Sequence, residues 1–546
     1  MTGSESIQGD RPAQDDADGQ DARAMNRLVG RNILSSVGAK LLYLVTRFFL
    51  PPIILAYVSL EEYGIWSICF ILIGYLGMSA FGVSNVYIRY VAQYQARGDQ
   101  DRIGDLLSTG VTLVSLIGLL ALALLWLALP TLIELLSVSP ALRETAFILI
   151  FWTAAIFVLE LSWGSFAYVL TGLQRIVQQN QVWVATFMLE TLLIVVFLVV
   201  GLGVYGLLYA FAIRYLVAIG VNVWLCFRDI PGLRLSLRRF NRADLALFYR
   251  YGGIVQLSGF LGMFLRSIEK LIAGLFINVQ AAGLFDVAQK FPVMATSIPS
   301  SMNAAILPAT SYMHAQERRA ELIELYLRGA RYINLVTGFM MGFMAAFATP
   351  LMIAWLGPDP DLALAPMILA LFTLPFQLNV LTGPASNIYR GMGIPARELI
   401  YPLTQLALVV VLVGGGFLIL GVGPLVIAVA VALAMILSAL IYMASTNGFL
   451  GLGQRRFVTR VLLPGLWPYA TGFALSLLAG PWIAAVGTDR WGSALLVLTM
   501  GLCYGLIQVG LLWLLQLERG EKDYLAERVR GRLGRAPPRS EDHHGH

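Results

Sequence analysis

Long apolar segments fill most of this chain and decide what it can fold into. Of its 546 residues, 58% are hydrophobic and 13% are charged, whereas about a quarter of the residues in a soluble domain are charged. A soluble core could not hide that much apolar surface, so the lipid bilayer must be the solvent. A helix needs roughly 20 apolar residues to span it. The sequence therefore predicts an all-α polytopic membrane protein with about fourteen transmembrane helices, near residues 30–57, 63–89, 108–136, 144–171, 181–202, 204–228, 248–276, 283–313, 329–356, 362–391, 397–420, 422–449, 458–485 and 491–516.

The sequence repeats itself at a fixed offset. Arg47 and Arg266 are separated by that offset (266 − 47 = 219), and each lies inside a long apolar segment. The same offset carries Gly64 onto Gly283. An even number of spans per repeat gives both repeats the same orientation. We therefore expect two parallel six-helix repeats followed by two C-terminal helices. Further pairs at the same offset are Asp105 with Glu324, Gly110 with Gly329, and Gly172 with Gly391.

The repeat sets the predicted domain boundaries. Both ends of the chain are polar, which is typical of disordered tails, and the joint between the repeats is basic, with leucines alternating with arginine and serine. The predicted organisation is a disordered cytoplasmic tail at 1–25, an N-lobe of six helices at 26–228, a cytoplasmic amphipathic linker at 229–243, a C-lobe of six helices at 244–449, two further helices at 450–518, and a second cytoplasmic tail at 519–546.

Arginines are concentrated in every second loop between the predicted spans. With a cytoplasmic N-terminus, the inside loops hold clusters such as Arg238 and Arg239, and the outside loops hold little beyond Arg143 and Arg490. This asymmetry follows the positive-inside rule and predicts that both termini are cytoplasmic. It also accounts for the net charge of +6 without a nucleic-acid partner.

Several cations lie inside the predicted spans. A charge in hydrocarbon is costly and normally faces a partner or an aqueous cavity, so it is a functional candidate. Lys40 and Arg47 are seven residues apart and share one helix face, and Pro51 and Pro52 should kink the same span. Arg266 is the repeat counterpart of Arg47. We expect a cationic, substrate-binding cavity lined by Lys40, Arg47, Arg214, Arg266, Lys270 and Lys290.

Buried acids offer the same cations a structural alternative. In that alternative Arg47 pairs with Glu160 or Glu190, Arg214 pairs with Glu190, Asp286 pairs with Lys290, Glu269 neutralises a neighbouring cation, and Lys40 extends to the headgroups. The carboxylates Glu190, Glu269 and Asp286 are also the candidates for coupling to a proton or sodium gradient. Since the buried cations outnumber the buried acids, the interior is net positive. Arginine binds phosphate oxygens in pairs, so this interior suits a phosphorylated ligand.

One segment carries a resemblance to a known family. The stretch EEYGIWSICFILIGYLGMSAFGVSNVYIRYVAQYQARGD (61–99) resembles the first hairpin of the polysaccharide transporter family. These proteins are the O-antigen-type flippases of the multidrug/oligosaccharidyl-lipid/polysaccharide exporter superfamily. The turns LGVYGLLYA (202–210) and LGVGPLVIA (420–428) resemble later joints in that family.

This resemblance implies a fold and a function. The fold is a V-shaped pair of six-helix bundles. The function is the movement of a polyprenyl-diphosphate-linked oligosaccharide, a polysaccharide or lipopolysaccharide precursor, across the bacterial inner membrane by alternating access. A polysaccharide polymerase and a chain-length regulator are further expected partners.

Other functions remain open at the level of the sequence. A peptidoglycan lipid II flippase would share the fourteen spans and the cationic lumen. A cation-coupled multidrug exporter would want an acid in its first span, and residues 30–57 contain none. A membrane scaffold for glycan-assembly enzymes would not need buried cations. An enzyme is not expected, because no sizeable extramembrane loop is available. No cofactor or metal is expected either, since there is no P-loop and the three cysteines are far apart.

Overall fold

The computed structural model describes residues 38–40, 42–78, 83–236, 240–241, 261–303, 306–486, 489–516 and 522. These residues are predominantly helical, and none of them forms a strand. The all-α prediction is therefore confirmed for this part of the chain. The predicted tails, apart from Lys522, and part of the predicted linker lie outside the described residues.

The helices of the first predicted repeat lie on its six apolar segments, and the segments 63–89 and 144–171 are each divided between two helices. They are α1 (Gly38–Leu55), α2 (Leu60–Met78), α3 (Val83–Ala96), α4 (Gln100–Leu135), α5 (Arg143–Trp163), α6 (Phe166–Gly172), α7 (Ile176–Val199) and α8 (Gly203–Asp229).

The helices of the second predicted repeat include several short pieces. They are α9 (Ile268–Phe276), α10 (Val279–Ala288), α11 (Lys290–Ala295), α12 (Ser297–Met302), α13 (Ile306–Ala315), α14 (Arg319–Ala346), α15 (Ala348–Leu356), α16 (Ala365–Leu381), α17 (Gly383–Gly391), α18 (Ile400–Leu420) and α19 (Pro424–Leu450). The C-terminal helices are α20 (Gln454–Phe457), a π-helical turn (Val458–Leu462), α21 (Leu463–Leu478), α22 (Gly480–Val486) and α23 (Arg490–Leu511).

Within the described residues, 11 helices are long and apolar enough to cross a membrane, and the bent pair α14 and α15 raises the number to 12. The predicted count of fourteen is not confirmed. The predicted span 248–276 falls partly on residues outside the described ranges. The predicted span 283–313 is divided among α10 to α13. Pro292, Pro299 and Pro308 lie in that segment, and each removes a backbone donor and breaks regular helix.

The chain divides into two compact units. One comprises Met1–Met294 and Gly393–Ser438, and the other comprises Ala295–Met392 and Ala439–His546. The predicted lobes 26–228 and 244–449 do not coincide with these units, because α10 of the second repeat packs against α2 of the first. The lobe boundaries stay a prediction.

The repeat is visible in the way that α2 and α10 begin. Ser59 and Glu62 form a capping box, in which the Ser59 N–H donates to Glu62 Oε2 at 2.8 Å and the Glu62 N–H donates to Ser59 Oγ at 3.2 Å. Asn278, the repeat counterpart of Ser59, caps α10 by accepting from the Ala281 N–H at 2.8 Å. Different side chains therefore start equivalent helices at equivalent positions.

The two helices meet at their equivalent glycines. A Cβ added to Gly283 would lie 3.0 Å from the Leu60 carbonyl oxygen and 3.1 Å from Gly64 Cα. A Cβ added to Gly64 would overlap the Val279 carbonyl oxygen. Since Leu60 and Val279 are also counterparts in the repeat, the contact is related to itself by a local pseudo-twofold axis. Neither position has room for a side chain.

Residues around the start of the predicted linker pack on the protein itself. Leu233 is buried in a core formed by α3, α4, α6 and α8, and Leu235 packs against that core. The Ser236 N–H donates to Ser108 Oγ at 3.2 Å, and the Asn241 N–H donates to Thr109 Oγ1 at 3.0 Å. The described part of this linker is therefore bound to α4.

In the second unit, glycines bring α21 against α14. A Cβ at Gly338 would overlap the Gly465 carbonyl oxygen, and one at Gly472 would lie 2.8 Å from the Gly342 carbonyl oxygen. Such small residues allow membrane helices to approach closely. Asn334 on α14 donates to the Val461 carbonyl at 2.6 Å. The predicted C-terminal pair thus begins with a helix that is anchored within this unit.

Candidate functional site

A carboxylate shared by two arginines lies in the first unit. Glu190 on α7 accepts from Arg47 Nη2 on α1 at 2.9 and 3.1 Å. It also accepts from Arg214 Nη1 on α8 at 2.9 Å. The Glu190 side chain is only 1% exposed, against 24% for Arg47 and 9% for Arg214. We call these three residues the arginine cluster, and it retains one positive charge in excess.

Aromatic rings surround the arginine cluster. The Arg47 guanidinium lies 5.5 Å from the ring centres of Tyr43 and Phe187, and the Arg214 guanidinium lies 4.7 Å from that of Tyr215. These are cation–π distances. Arg47 Nε is buried and has no hydrogen-bond partner among the described residues. The rings pack against the two guanidinium groups, and the Arg47 Nε–H remains an unused hydrogen-bond donor among the described residues.

A cavity of about 850 Å³ adjoins this cluster. Its wall includes Arg214, Glu160, Trp183 and Tyr215. This volume lies within the usual range for small-molecule sites. The cavity places a guanidinium and a carboxylate next to aromatic and apolar surface, so it could hold an anionic group with an apolar attachment.

A second shared carboxylate lies in the same unit. Asp286 on α10 accepts from Lys270 Nζ on α9 at 2.7 Å and pairs with Lys290 Nζ on α11 at 2.8 Å. The Tyr63 hydroxyl on α2 donates to Asp286 Oδ2 at 2.7 Å. We call Lys270, Lys290 and Asp286 the lysine cluster, and it also retains one positive charge in excess.

The two clusters are near one another. Phe48, next to Arg47, contacts Phe291, next to Lys290, with ring centres 4.9 Å apart. A smaller cavity of about 110 Å³ is lined in part by Lys270 and Asp286. Phe70 and Met263 line both this cavity and the larger one.

Three further predicted site residues belong to neither cluster, although Glu269 interacts electrostatically with Lys270 and Asp286. Lys40 on α1 is exposed, and Arg266, in the helical residues before α9, is exposed as well. Glu269 on α9 is buried. Arg266 therefore does not share the environment of Arg47, its repeat counterpart. The predicted partners Arg47 with Glu190, Arg214 with Glu190, and Asp286 with Lys290 are all present.

Two residues were not assigned a site role from the sequence. Tyr63, which donates to Asp286, looks like an ordinary apolar residue in EEYGIW. Its neighbour Gly64 was the available signal, because Gly64 marks the contact between α2 and α10. The sequence indicates Glu160 as a partner of Arg47, whereas in the structure it lines the larger cavity.

A family model described as polysaccharide biosynthesis protein matches residues 54–359. The chain belongs to this family. The match begins in α1 and extends beyond α15, so it includes the lysine cluster and the Glu190 and Arg214 members of the arginine cluster, whereas Arg47 precedes it. No curated protein matches the sequence significantly.

Solved structures of membrane transporters have the same fold. A structure of the lipid II flippase MurJ in an inward closed conformation matches with a TM-score of 0.65 and 15% identity, covering 88% of this chain and 99% of that one. An inward-facing multidrug resistance MATE family transporter of the MOP superfamily matches at 0.57 and 16% identity, covering 74% and 98%. A MOP superfamily transporter from Pyrococcus furiosus matches at 0.54 and 15% identity, covering 78% and 95%.

These matches confirm the resemblance found in the sequence at the level of family and fold. The protein is thus a multi-pass membrane protein of the polysaccharide biosynthesis family. Its fold is similar to those of MurJ and the MATE transporters. Its structural relatives are transporters rather than enzymes.

Proposed function

We propose that the protein is a flippase that moves a polyprenyl-diphosphate-linked oligosaccharide across the bacterial inner membrane by alternating access. The observation that carries the proposal is the cavity of about 850 Å³ whose wall includes Arg214. The excess positive charge of the arginine cluster suits the diphosphate, and guanidinium groups bind phosphate oxygens in pairs. The polyprenyl chain stays in lipid, where burial of its methylene groups is favourable.

The cationic residues have different parts in this proposal. Arg214 contacts the diphosphate in the cavity, and Arg47 positions Glu190 and contributes the second guanidinium. The lysine cluster supplies further positive charge nearby. Exposed Lys40 and Arg266 contact the headgroup as it enters or leaves. Coupling to a proton or sodium gradient at Glu190, Glu269 or Asp286 stays a prediction.

Orientation and partners belong to the same proposal. Both termini lie in the cytoplasm, because the predicted inside loops carry most of the arginines. A polysaccharide polymerase and a chain-length regulator act on the exported product. Reporter fusions at each terminus test the orientation, and a periplasmic signal from either terminus would contradict it.

Transfer of a fluorescent polyprenyl-diphosphate oligosaccharide across vesicles that contain the purified protein tests the function. We expect Arg214→Ala and Arg47→Ala each to slow transfer by about tenfold or more, since each removes a charged hydrogen-bonding group. Arg143→Ala, which removes an exposed arginine at the start of α5, is the matched control and should leave the rate unchanged. Wild-type rates in both cluster variants would refute the assigned role.

A lipid II flippase is the second candidate, because the lipid II flippase MurJ shares the fold over most of both chains. The same vesicles, loaded with lipid II in place of the oligosaccharide lipid, separate the two. Faster transfer of lipid II would favour the second candidate.

A further inference from the structure

Among the described residues, one half-buried acid in the larger cavity has none of the cation hydrogen bonds that hold the two clusters together. Glu160 on α5 lines the cavity that Arg214 also lines. Its Oε2 atom is buried and has no hydrogen-bond partner among the described residues. Glu190 and Asp286, by contrast, each accept from two cations.

The backbone makes room for this carboxyl group. A Cβ added to Gly164, one helical turn after Glu160, would overlap the Glu160 carboxyl carbon and Oε2. The carboxyl group therefore lies against the space above a glycine, at the junction between α5 and α6. The absence of a side chain at residue 164 defines the place that the carboxyl group occupies.

Within the part of the chain that the structure describes, few charged or titratable groups act on Glu160. Arg214 and Tyr215 on α8 and Tyr168 on α6 interact with it electrostatically. Glu190 on α7 faces the same arginine. Since Arg214 is already hydrogen-bonded to Glu190, Glu160 has to share a cation that another carboxylate holds. An ionised carboxylate without its own donors is costly to bury, and the neutral acid is much less so.

We propose that Glu160 is a proton-binding site in the wall of the cavity, and that its protonation strengthens the binding of an anionic headgroup beside Arg214. The proton comes from water in the cavity, forms an O–H bond at the carboxyl group, and returns to water on release. With Glu160 neutral, the positive charge of Arg214 is available to the ligand. With Glu160 ionised, its negative charge repels the ligand from the same space.

Proton binding and anion binding then favour each other by the same factor, as linkage requires. The second half of this inference rests on the proposed function, because it needs an anionic ligand in the cavity. The first half, a carboxyl group that takes up a proton, does not depend on the substrate.

Infrared difference spectroscopy of the purified full chain, titrated from alkaline to acidic buffer, tests the proton site alone. Beside the bands of the exposed acids, we expect a protonated carboxyl C=O component in the wild type that is absent in Glu160→Gln. Glu144→Gln, which changes an exposed acid on the same helix, should retain the band. Persistence of the full band in Glu160→Gln would overturn the proposal whatever the substrate is.

Calorimetric binding of farnesyl diphosphate at several pH values tests the link to the ligand. In the wild type and in Glu144→Gln, we expect the affinity to fall by about tenfold as Glu160 loses its proton, the size expected for one added charge near the ligand. In Glu160→Gln, the affinity should stay high at every pH. Gly164→Ala displaces the carboxyl group and should weaken the pH dependence, which provides a second variant if Glu160→Gln folds poorly.

The outcomes separate the two proposals. Binding with a wild-type pH dependence in Glu160→Gln would overturn the link and leave the proposed function standing. Absence of binding in the wild type at every pH would contradict the proposed function and the link, while the infrared band would still decide the proton site.

Discussion

The arginine cluster and the lysine cluster have the same charge arrangement, with one carboxylate between two cations, but differ in chemistry. Glu190 is 1% exposed and binds two guanidinium groups, whereas Asp286 is 10% exposed and binds two ammonium groups and the Tyr63 hydroxyl. Arginine stays charged in proteins, whereas a buried lysine can lose its proton. The arginine cluster should therefore keep its charge if its carboxylate is removed, whereas the lysine cluster can then release a proton.

The shared carboxylate of each cluster has no acidic counterpart at the equivalent position of the other repeat. The repeat counterpart of Glu190 is Val409, and the repeat counterpart of Asp286 is Ser67. Each repeat has thus kept its helix starts and glycines while placing its acid at a different position. Function in a duplicated membrane protein can therefore be divided unequally between repeats whose frameworks match.

The largest expected effect comes from removing each shared carboxylate. Glu190→Ala leaves two arginines without their partner, and loss of one member of a buried ion pair costs about 3–5 kcal/mol. Asp286→Ala should cost about half as much, because one lysine can deprotonate. The free energy of unfolding in mixed micelles measures both, with Glu144→Ala as the exposed control. A larger loss for Asp286→Ala would reverse the comparison between the clusters.

The next effect tests the frameworks that the two repeats share. Gly64→Ala and Gly283→Ala each place a Cβ against backbone atoms of the other helix, and overpacking of this kind costs about 1–3 kcal/mol. Because the added Cβ would overlap the Val279 carbonyl oxygen at Gly64 but would lie 3.0 Å from the Leu60 carbonyl oxygen at Gly283, we expect Gly64→Ala to lose more stability. The same unfolding measurement applies, with Gly262→Ala as a control that meets no neighbouring atom within 4 Å. An equal or larger loss in Gly283→Ala would contradict this order.

A conservative exchange then separates the two kinds of cation. Arg214→Lys keeps the charge and removes the planar fork, so we expect the affinity for farnesyl diphosphate to fall by about tenfold. Lys270→Arg, the reverse exchange in the lysine cluster, should change it by less than about threefold. Calorimetric binding at one pH measures both variants. Equal losses in the two would mean that the arginine fork has no special part in binding.

The smallest expected effect comes from the Tyr63 hydroxyl, which donates to the shared carboxylate of the lysine cluster. Tyr63→Phe removes its hydrogen bond to Asp286 and should cost about 1 kcal/mol. Tyr43→Phe is the matched control, because Tyr43 contacts Arg47 through its ring, which phenylalanine keeps. Unfolding in mixed micelles compares the two. A greater loss in Tyr43→Phe would show that the hydroxyl of Tyr63 contributes little.

The sequence predicted the membrane fold well because apolar length and the repeat are local or periodic signals. Gly64 and Gly283 recur at one offset, and the structure brings them into contact. The exposed position of Arg266 could not be predicted in this way. Its counterpart Arg47 is held by Glu190, which is 143 residues away in the chain, and only the folded structure shows which acid a cation reaches.

Glu160 shows the same limit for an acid, because the sequence does not indicate which cation, if any, will reach it. The sequence shows a carboxylate in an apolar segment, and nothing local indicates whether a cation will bind it. That depends on α7 and α8, which bring Arg214 to Glu190, and on Gly164, which sets the place of the carboxyl group. A single missing side chain is a weak signal in a sequence that contains 53 glycines.

The contact between Gly64 and Gly283 limits how this chain can diverge. Ordinarily, a residue that grows during evolution can be accommodated when a neighbour shrinks. Here both neighbours already lack side chains, so no change at one of them compensates for an added atom at the other. The two glycine positions, which are separate in the duplicated sequence, are therefore constrained together in the folded protein.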